Sequence, residues 1–395
     1  MRSAPTKELL TFMYWCWNVR GAPTMASRPP TDSVKIGDAD SRGAGDRRLC
    51  EFVSGKTLGF LLSASVLALG FLAHRVVRGV EEPLVLEWTP SRVDWLFLLA
   101  VAAFTWFVVI PVVTDAMLRR RLWRSLRADP LALASCCYLV AFGLAGTVGA
   151  ALVEHYGPFV TDSLQPPGTL EAPLGADGHG QNLVALLLEG AGVSLRVAFV
   201  VAMVIVPTAL VVGTVAGYAG GAIDSALMGY VDVQETVPVF LFYIVLGYVF
   251  EYSLFLLVVV FGLLGWGRVA RLVRAEVRQL RERQFVEAAR NCGCTTAQIL
   301  RWHLLPNAAS VAVVGTTQLI AWLLLVEAAL AFMYLSDPNV ASWGHTIARG
   351  LVEGGTNVRF QNSWWVSTMP MVALAGTVVA LSVVGDWLRD ALDPR

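Results

Sequence analysis

The stretch that decides the fold occupies residues 237–265 and reads VPVFLFYIVLGYVFEYSLFLLVVVFGLLG. Its only charged side chain belongs to Glu251. A helix that spans a membrane needs about 20 mostly apolar residues. These 29 residues therefore suffice for one tilted helix, or for two short helices that turn back at Glu251 and Tyr252.

Charges on either side of this stretch decide between one crossing and two. Arginine and lysine in short loops remain on the cytoplasmic side of a membrane. Residues 119–127 carry five arginines, whereas residues 154–190 carry five acids and no lysine or arginine. Eight more arginines lie between Arg268 and Arg301. A single crossing would place these eight outside, so we predict two spans, the first recruiting residues from about Ala226.

The remainder of the chain is also apolar, with 56% hydrophobic and 15% charged residues, against about 25% charged in soluble proteins. Six further apolar stretches are long enough to predict spans. They are residues 57–73, 95–113, 131–153, 197–217, 311–335 and 366–384. We therefore predict an all-α integral membrane protein with about eight transmembrane helices and both termini in the cytoplasm.

Composition and motifs exclude several classes of function. The 30 basic and 30 acidic residues balance, which argues against a nucleic-acid binder. Residues 55–57 read Gly-Lys-Thr, but a phosphate-binding loop also needs a glycine at position 50, which is Cys50. Cys292, Cys294 and His303 do not complete a four-ligand zinc site. We find no hydrolase motif, and predict no catalytic residues, no metal and no cofactor.

Two ionisable residues fall within or at the entry of predicted spans, Arg196 and Glu327. Such residues usually face a protein interior or serve a transport path. Two are few for a proton relay, so we expect both to be structural.

The most informative segment, residues 276–307, reads EVRQLRERQFVEAARNCGCTTAQILRWHLLPN. Gly293 is expected to end a helix, because glycine accepts a left-handed backbone. Thr295 followed by Gln298 predicts a capping box at the start of a second helix, which Pro306 is expected to limit. Two short helices joined by a glycine turn would form a knob suited to docking another protein.

The helix before this knob carries arginines at three- and four-residue spacing, hence on one face. They are Arg268, Arg271, Arg274, Arg278 and Arg281. We expect them to anchor the helix at the membrane interface, to help hold a partner protein, or both.

The knob resembles the EAA loop of permease subunits in binding-protein-dependent ABC importers. The resemblance rests on Glu287, Ala288 and Ala289, on Gly293, and on the His-x-Leu-Pro-Asn run formed by His303, Leu305, Pro306 and Asn307. That run is similar to the dipeptide, oligopeptide and nickel branch, in its C-type permease. Further segments match in the same order over about residues 174–395. They are residues 172–180, 217–224, 342–344 and 385–395.

The resemblance implies a division of the chain. Members typically have six spans, so residues 131–395 would form the permease domain and residues 57–130 two additional spans with a basic loop. Residues 1–56 are expected to be a disordered cytoplasmic tail, and the start of translation stays open between Met1 and Met25. The sequence departs from the family pattern at Ala176, Gln181 and Asn182.

The resemblance also implies partners: a second homologous permease, two ATP-binding cassette ATPase subunits, an extracellular substrate-binding protein and the lipid of the cell membrane. The knob would act as a coupling helix, in which Glu287 orients the loop, Ala288 and Ala289 allow close approach, and Gly293 sets the angle. The chain itself would not hydrolyse ATP. Di- or oligopeptides are the expected cargo; nickel or another small solute stays open. The alternative class is a secondary transporter that acts alone.

Overall fold

The computed structural model describes residues 40–74, 91–149, 163–170, 172–351 and 363–392. Within these residues the chain is largely helical, with one isolated β-bridge between Ala176 and Asn182. The helices are α1 (Asp40–Ala73), α2 (Arg92–Thr114), α3 (Ala116–Ala128), α4 (Pro130–Gly149), α5 (Leu183–Ala219), α6 (Gly221–Thr236), α7 (Val239–Phe250), α8 (Leu254–Leu264), α9 (Gly267–Arg281), α10 (Gln284–Asn291), α11 (Thr296–Phe332), α12 (Trp343–Leu351) and α13 (Trp364–Leu392).

The helices confirm the prediction of an all-α protein that passes through a membrane several times. Among the described residues, six helical segments are long and apolar enough to span: α2, α4, α5, the continuous α8–α9 pair, α11 and α13. Helices α6 and α7 meet at an angle of 63° and together form a seventh such segment. The remaining predicted span falls on the shorter apolar part of α1, Thr57–Ala73.

The chain turns back within residues 237–265, as the arginine distribution predicts. Helix α7 ends at Phe250, and Glu251 has a positive φ of 69°. Helix α8 begins at Leu254, where the Ser253 hydroxyl accepts a hydrogen bond from the backbone N–H of Leu256 at 3.2 Å. A left-handed residue followed by a fresh N-cap produces a tight turn between two helices.

The centre of the molecule is the contact between α5 and α9. Two glycines of α5 allow this close approach, because a Cβ at Gly213 would lie 2.6 Å from the carbonyl oxygen of Ala270. A Cβ at Gly217 would lie 2.8 Å from the carbonyl oxygen of Arg274. Glycines spaced four residues apart on one face let two helix backbones touch. The buried valines of α9, including Val273, complete the packing.

An ion pair joins α2 to α5. The Nε of Arg196 on α5 lies 2.9 Å from a carboxylate oxygen of Asp94 on α2. The ring of Phe199 packs edge-on against Phe97 and Phe104. Arg196 therefore has the structural role that we expected, and α2 is held against α5 by polar and aromatic contacts together.

The segment that departs from the family pattern is closely packed. Arg349 donates hydrogen bonds to the Gln181 side chain at 2.7 Å and to Asp177 at 3.3 Å. The Asn182 side chain accepts a hydrogen bond from the backbone N–H of Val184 at 2.9 Å and caps α5. Asparagine caps a helix about as well as aspartate, so this departure leaves the start of α5 intact.

Two boundary predictions need correction. Helix α1 begins at Asp40, so part of the expected disordered tail is helical, while residues 1–39 lie outside the described residues. Pro306 does not end a helix, because Thr296–Phe332 continues through it. A π-helical turn over Leu300–Leu304 widens the backbone just before the proline. The Asn307 side chain donates a hydrogen bond to the His303 carbonyl at 2.5 Å, one helical turn earlier.

Candidate functional site

The knob is a helix–glycine–helix turn that joins α10 to the start of α11. Gly293 has a φ of 76°, a conformation that L side chains rarely adopt. Its backbone N–H donates to the Arg290 carbonyl at 2.8 Å, and the Cys294 N–H donates to the Ala289 carbonyl at 3.0 Å. These bonds satisfy the last carbonyl groups of α10 and fix its angle to α11.

The second helix of the knob starts with the capping box that the sequence predicts. The Thr295 backbone N–H donates to the Gln298 side chain at 2.7 Å, and the Gln298 N–H donates back to the Thr295 hydroxyl at 3.3 Å. This second helix is the first part of α11 rather than a separate short element. Movement of the knob would therefore pass directly into a spanning helix.

The knob is a rigid extension of the main core. Val286, Ala289, Ile299 and Leu304 are each at most 1% exposed and belong to the same apolar cluster as Leu280 of α9. A surface built on a packed interior keeps its shape when another protein presses on it.

The predicted site residues divide by exposure. Glu287, Gly293, Pro306 and Asn307 are exposed, and Ala288, His303 and Leu305 are half-buried. Ala289 is buried inside its own chain. The structure thus brings seven of these eight residues to the surface and places Ala289 in the packing beneath.

Sequence reasoning missed two further features of the exposed face. The Arg290 guanidinium lies 5.4 Å from the centre of the Tyr218 ring, which links the knob to the end of α5. Trp302 is 42% exposed, with the Arg301 guanidinium 5.5 Å from its ring centre. Exposed tryptophan and arginine side chains are enriched at protein–protein interfaces.

Three arginines of α9 form ion pairs with acids of α6. Arg274 donates to both carboxylate oxygens of Asp224, at 2.5 and 2.7 Å, and Arg278 pairs with the same carboxylate. Arg271 donates to Glu235 at 2.5 Å and to Asp232 at 2.7 Å. The Asp224 side chain is only 6% exposed.

This clamp gives three of the five arginines a role that the sequence did not indicate, because Arg271, Arg274 and Arg278 fasten α6 to α9 through their ion pairs. Anchoring at the membrane interface and contact with a partner protein stay predictions. The spacing of two acids on α6 is the signal in the sequence that could have indicated this clamp. Asp232 and Glu235 are three residues apart on α6 and therefore share the face that meets α9.

Glu327 lies near the opposite end of α11 from the knob and is 3% exposed. It accepts a hydrogen bond from Ser342 and lines a small cavity with Tyr243, Ser336 and Asp337. Among the described residues, no group of three or more His, Cys, Asp or Glu could hold a metal ion.

Several helices long enough to span a membrane, with a packed knob at a glycine turn, describe a multi-pass membrane protein. Residues 209–395 match the family described as binding-protein-dependent transport system inner membrane component. Three relatives extend the similarity. A putative peptide permease protein of Brucella ovis is 37% identical over 225 residues, covering 56% of this chain and 72% of the relative.

The other two carry more specific names. The oligopeptide transport system permease protein OppC of Haemophilus influenzae is 31% identical over 222 residues, covering 56% of this chain and 70% of the relative. The dipeptide transport system permease protein DppC of Bacillus subtilis is 30% identical over 276 residues, covering 69% of this chain and 84% of the relative. The chain therefore belongs to the family of binding-protein-dependent transport system inner membrane components.

Proposed function

We propose that this chain is a permease subunit of an ATP-driven importer of di- or oligopeptides in the cell membrane. It would form the translocation path with a second, homologous permease and receive cargo from an extracellular substrate-binding protein. The peptide cargo is supported by the printed names of the relatives, which are peptide, oligopeptide and dipeptide permeases. Both termini and the knob would lie in the cytoplasm, which the arginine distribution supports.

The observation that carries this proposal is the construction of the knob. An exposed surface that includes Glu287, Gly293 and Trp302 stands on a buried interior continuous with the main core. A partner ATPase that moved this surface would move α11 as a rigid body, because the second helix of the knob is the first part of α11. ATP hydrolysis would then belong to the two ATPase subunits, and the chain would only transmit the motion.

Uncoupling variants test the role of the knob. Gly293→Val places a β-branched side chain at a φ of 76° and should distort the turn. Glu287→Lys reverses an exposed charge. In the reconstituted importer, each variant should lower ATP-dependent peptide uptake at least tenfold, while protein in the membrane stays at the wild-type level.

Gly293→Asn is the matched control, because asparagine tolerates a left-handed backbone. It should keep at least half of the wild-type uptake. Wild-type uptake in Gly293→Val and Glu287→Lys alike would remove the coupling role.

Cargo and class are tested in cells that lack the chain. Loss of labelled dipeptide and tripeptide uptake, restored by the wild-type gene, supports the peptide proposal; selective loss of nickel uptake would replace peptide with nickel. Purification of the tagged chain addresses the alternative class. A secondary transporter acting alone would bring down no ATPase and no second permease.

A further inference from the structure

Helix α3 lies between two spanning segments and is joined to each by a single residue. Asp115 connects it to α2 and accepts hydrogen bonds from the backbone N–H groups of Met117 and Leu118, at 2.9 and 3.2 Å. Asp129 connects it to α4 and caps that helix in the same way. Because both ends of α3 continue directly into spans, the whole helix is confined to the membrane surface.

One face of α3 is fixed to the permease domain. Leu118, Leu122 and Leu126 are half-buried and recur at four-residue spacing. Ser125 lies on the same side, and its hydroxyl accepts a hydrogen bond from the Trp387 ring N–H at 3.2 Å. Helix α3 therefore rests against the last turns of α13.

The position of Trp387 shows at which end of the bundle α3 lies. Helix α13 starts beside the start of α5, where the Trp365 ring N–H donates to the Ala176 carbonyl at 3.1 Å. The last turns of α13 consequently lie at the other end, where α5 finishes against α9 beside the knob. On the proposed orientation this is the cytoplasmic end.

The opposite face of α3 is rich in positive charge. Five arginines lie on a helix without an acidic residue of its own. They are Arg119, Arg120, Arg121, Arg124 and Arg127. In the part of the chain that the structure describes, no ion pair involves Arg120 or Arg124, which are exposed and lie one turn apart.

Large apolar side chains stand among these arginines. Met117 is 78% exposed and Trp123 is 50% exposed. The Arg127 guanidinium covers the Trp123 ring at 4.6 Å. Tryptophan favours the headgroup region of a bilayer, and arginine extends its charged end toward phosphate while its methylene groups remain among apolar neighbours.

We propose that the exposed face of α3, centred on Arg120 and Arg124, binds the phosphate headgroups of anionic phospholipids in the cytoplasmic leaflet. Charge complementarity selects this occupant. Guanidinium groups bind phosphate through paired hydrogen bonds, and the negative leaflet attracts basic residues that lie within a Debye length of it.

The purified full-length chain tests this proposal by native mass spectrometry during titration with phosphatidylglycerol or phosphatidylcholine. The wild type should bind phosphatidylglycerol more tightly than phosphatidylcholine. Arg120→Gln combined with Arg124→Gln should weaken the tightest phosphatidylglycerol binding at least fivefold and leave phosphatidylcholine binding unchanged. The charge-conserving pair Arg120→Lys and Arg124→Lys should keep the preference for phosphatidylglycerol, because the charge is retained, and should bind it less tightly than the wild type, because lysine lacks the paired hydrogen bonds.

The matched control removes the same charge elsewhere. Arg283 and Arg301 are exposed arginines of the knob segment, and replacing both with glutamine should leave phosphatidylglycerol binding unchanged. Equal affinity of the wild type for both lipids would overturn the proposal. An unaltered phosphatidylglycerol affinity in the Arg120→Gln, Arg124→Gln variant would also overturn it. If that variant in addition no longer co-purified with the ATPase, the exposed face of α3 would be assigned to the ATPase.

Discussion

Helices α3 and α9 are alike in composition, but their arginines make different contacts. Each is rich in arginine; α3 follows the spanning helix α2, and α9 continues from α8 within one spanning segment. In α9 the guanidinium groups of Arg271, Arg274 and Arg278 meet carboxylates of α6. In α3 the exposed Arg120 and Arg124 meet none among the described residues, and the helix touches the rest of the protein through its leucine face.

The difference teaches that a row of arginines on a helix indicates on which side of the membrane the helix lies, but does not indicate which groups the arginines bind. Both stripes obey the same topological rule, because that rule concerns the cost of moving charge across lipid. Whether the charge then binds an acid of the same chain depends on which helix folds against it. Asp224 is 50 residues from Arg274 in sequence and 2.5 Å from it in the structure.

The largest effect on stability is expected at the contact between α5 and α9. Gly213→Val would place a side chain 2.6 Å from the Ala270 carbonyl oxygen and force α5 and α9 apart. Overpacking of this kind costs about 3 kcal/mol in the free energy of unfolding. Thermal unfolding of the purified chain in detergent measures the loss.

Gly143→Val is its control, because a Cβ at Gly143 meets nothing within 4 Å. It should change the stability by less than about 1 kcal/mol. Equal losses at the two glycines would mean that the α5–α9 approach is not what makes Gly213 sensitive.

The next largest effect is expected at the ion pairs of Asp224, which fasten α6 to α9. Asp224→Ala leaves Arg274 and Arg278 without their carboxylate and should cost about 2 kcal/mol in the free energy of unfolding. This is less than for a fully buried pair, because the two guanidinium groups are 26% and 47% exposed. The same unfolding measurement applies.

Asp232→Ala provides the matched control for the clamp. Its side chain is 68% exposed, so its pair with Arg271 should be worth less than about 1 kcal/mol. If the loss at Asp232 equalled that at Asp224, the clamp would be a diffuse charge effect rather than a buried contact.

Short-range features of the knob could be predicted from the sequence. The turn at Gly293 and the capping box of Thr295 and Gln298 depend on residues within a few positions of one another, and the structure contains both. The turn at Glu251 could also be predicted, because the arginines that follow residues 237–265 stay in the cytoplasm only if this stretch crosses the membrane twice.

Longer-range features could not be predicted. The acids that bind the α9 arginines lie on a different helix, and a single sequence does not state which helices pack together. The passage of α11 through Pro306 was also missed, since a proline normally limits a helix. A wider π-helical turn at Leu300–Leu304 lies directly before the proline, and it depends on the final backbone geometry.

A smaller effect is expected where α3 meets α13. Trp387→Phe removes the hydrogen bond to Ser125 while keeping an aromatic ring. A single hydrogen bond contributes about 1 kcal/mol, so unfolding should occur at slightly lower temperature. Ser125→Ala should give a similar loss, and the double variant should lose no more than the larger single loss. A strictly additive double variant would show that the two side chains act independently.

The smallest effect separates the two arginine helices directly. Arg120→Gln with Arg124→Gln should change the free energy of unfolding in detergent by less than about 0.5 kcal/mol, because the described chain offers these charges no partner. Arg274→Gln, in contrast, should cost about 2 kcal/mol, because it leaves part of the buried Asp224 carboxylate unpaired. The comparison is made in neutral detergent, where no lipid phosphate can replace the missing acid. Equal losses in the two variants would show that α3, like α9, has its charges satisfied inside the protein, and the contrast between the helices would then disappear.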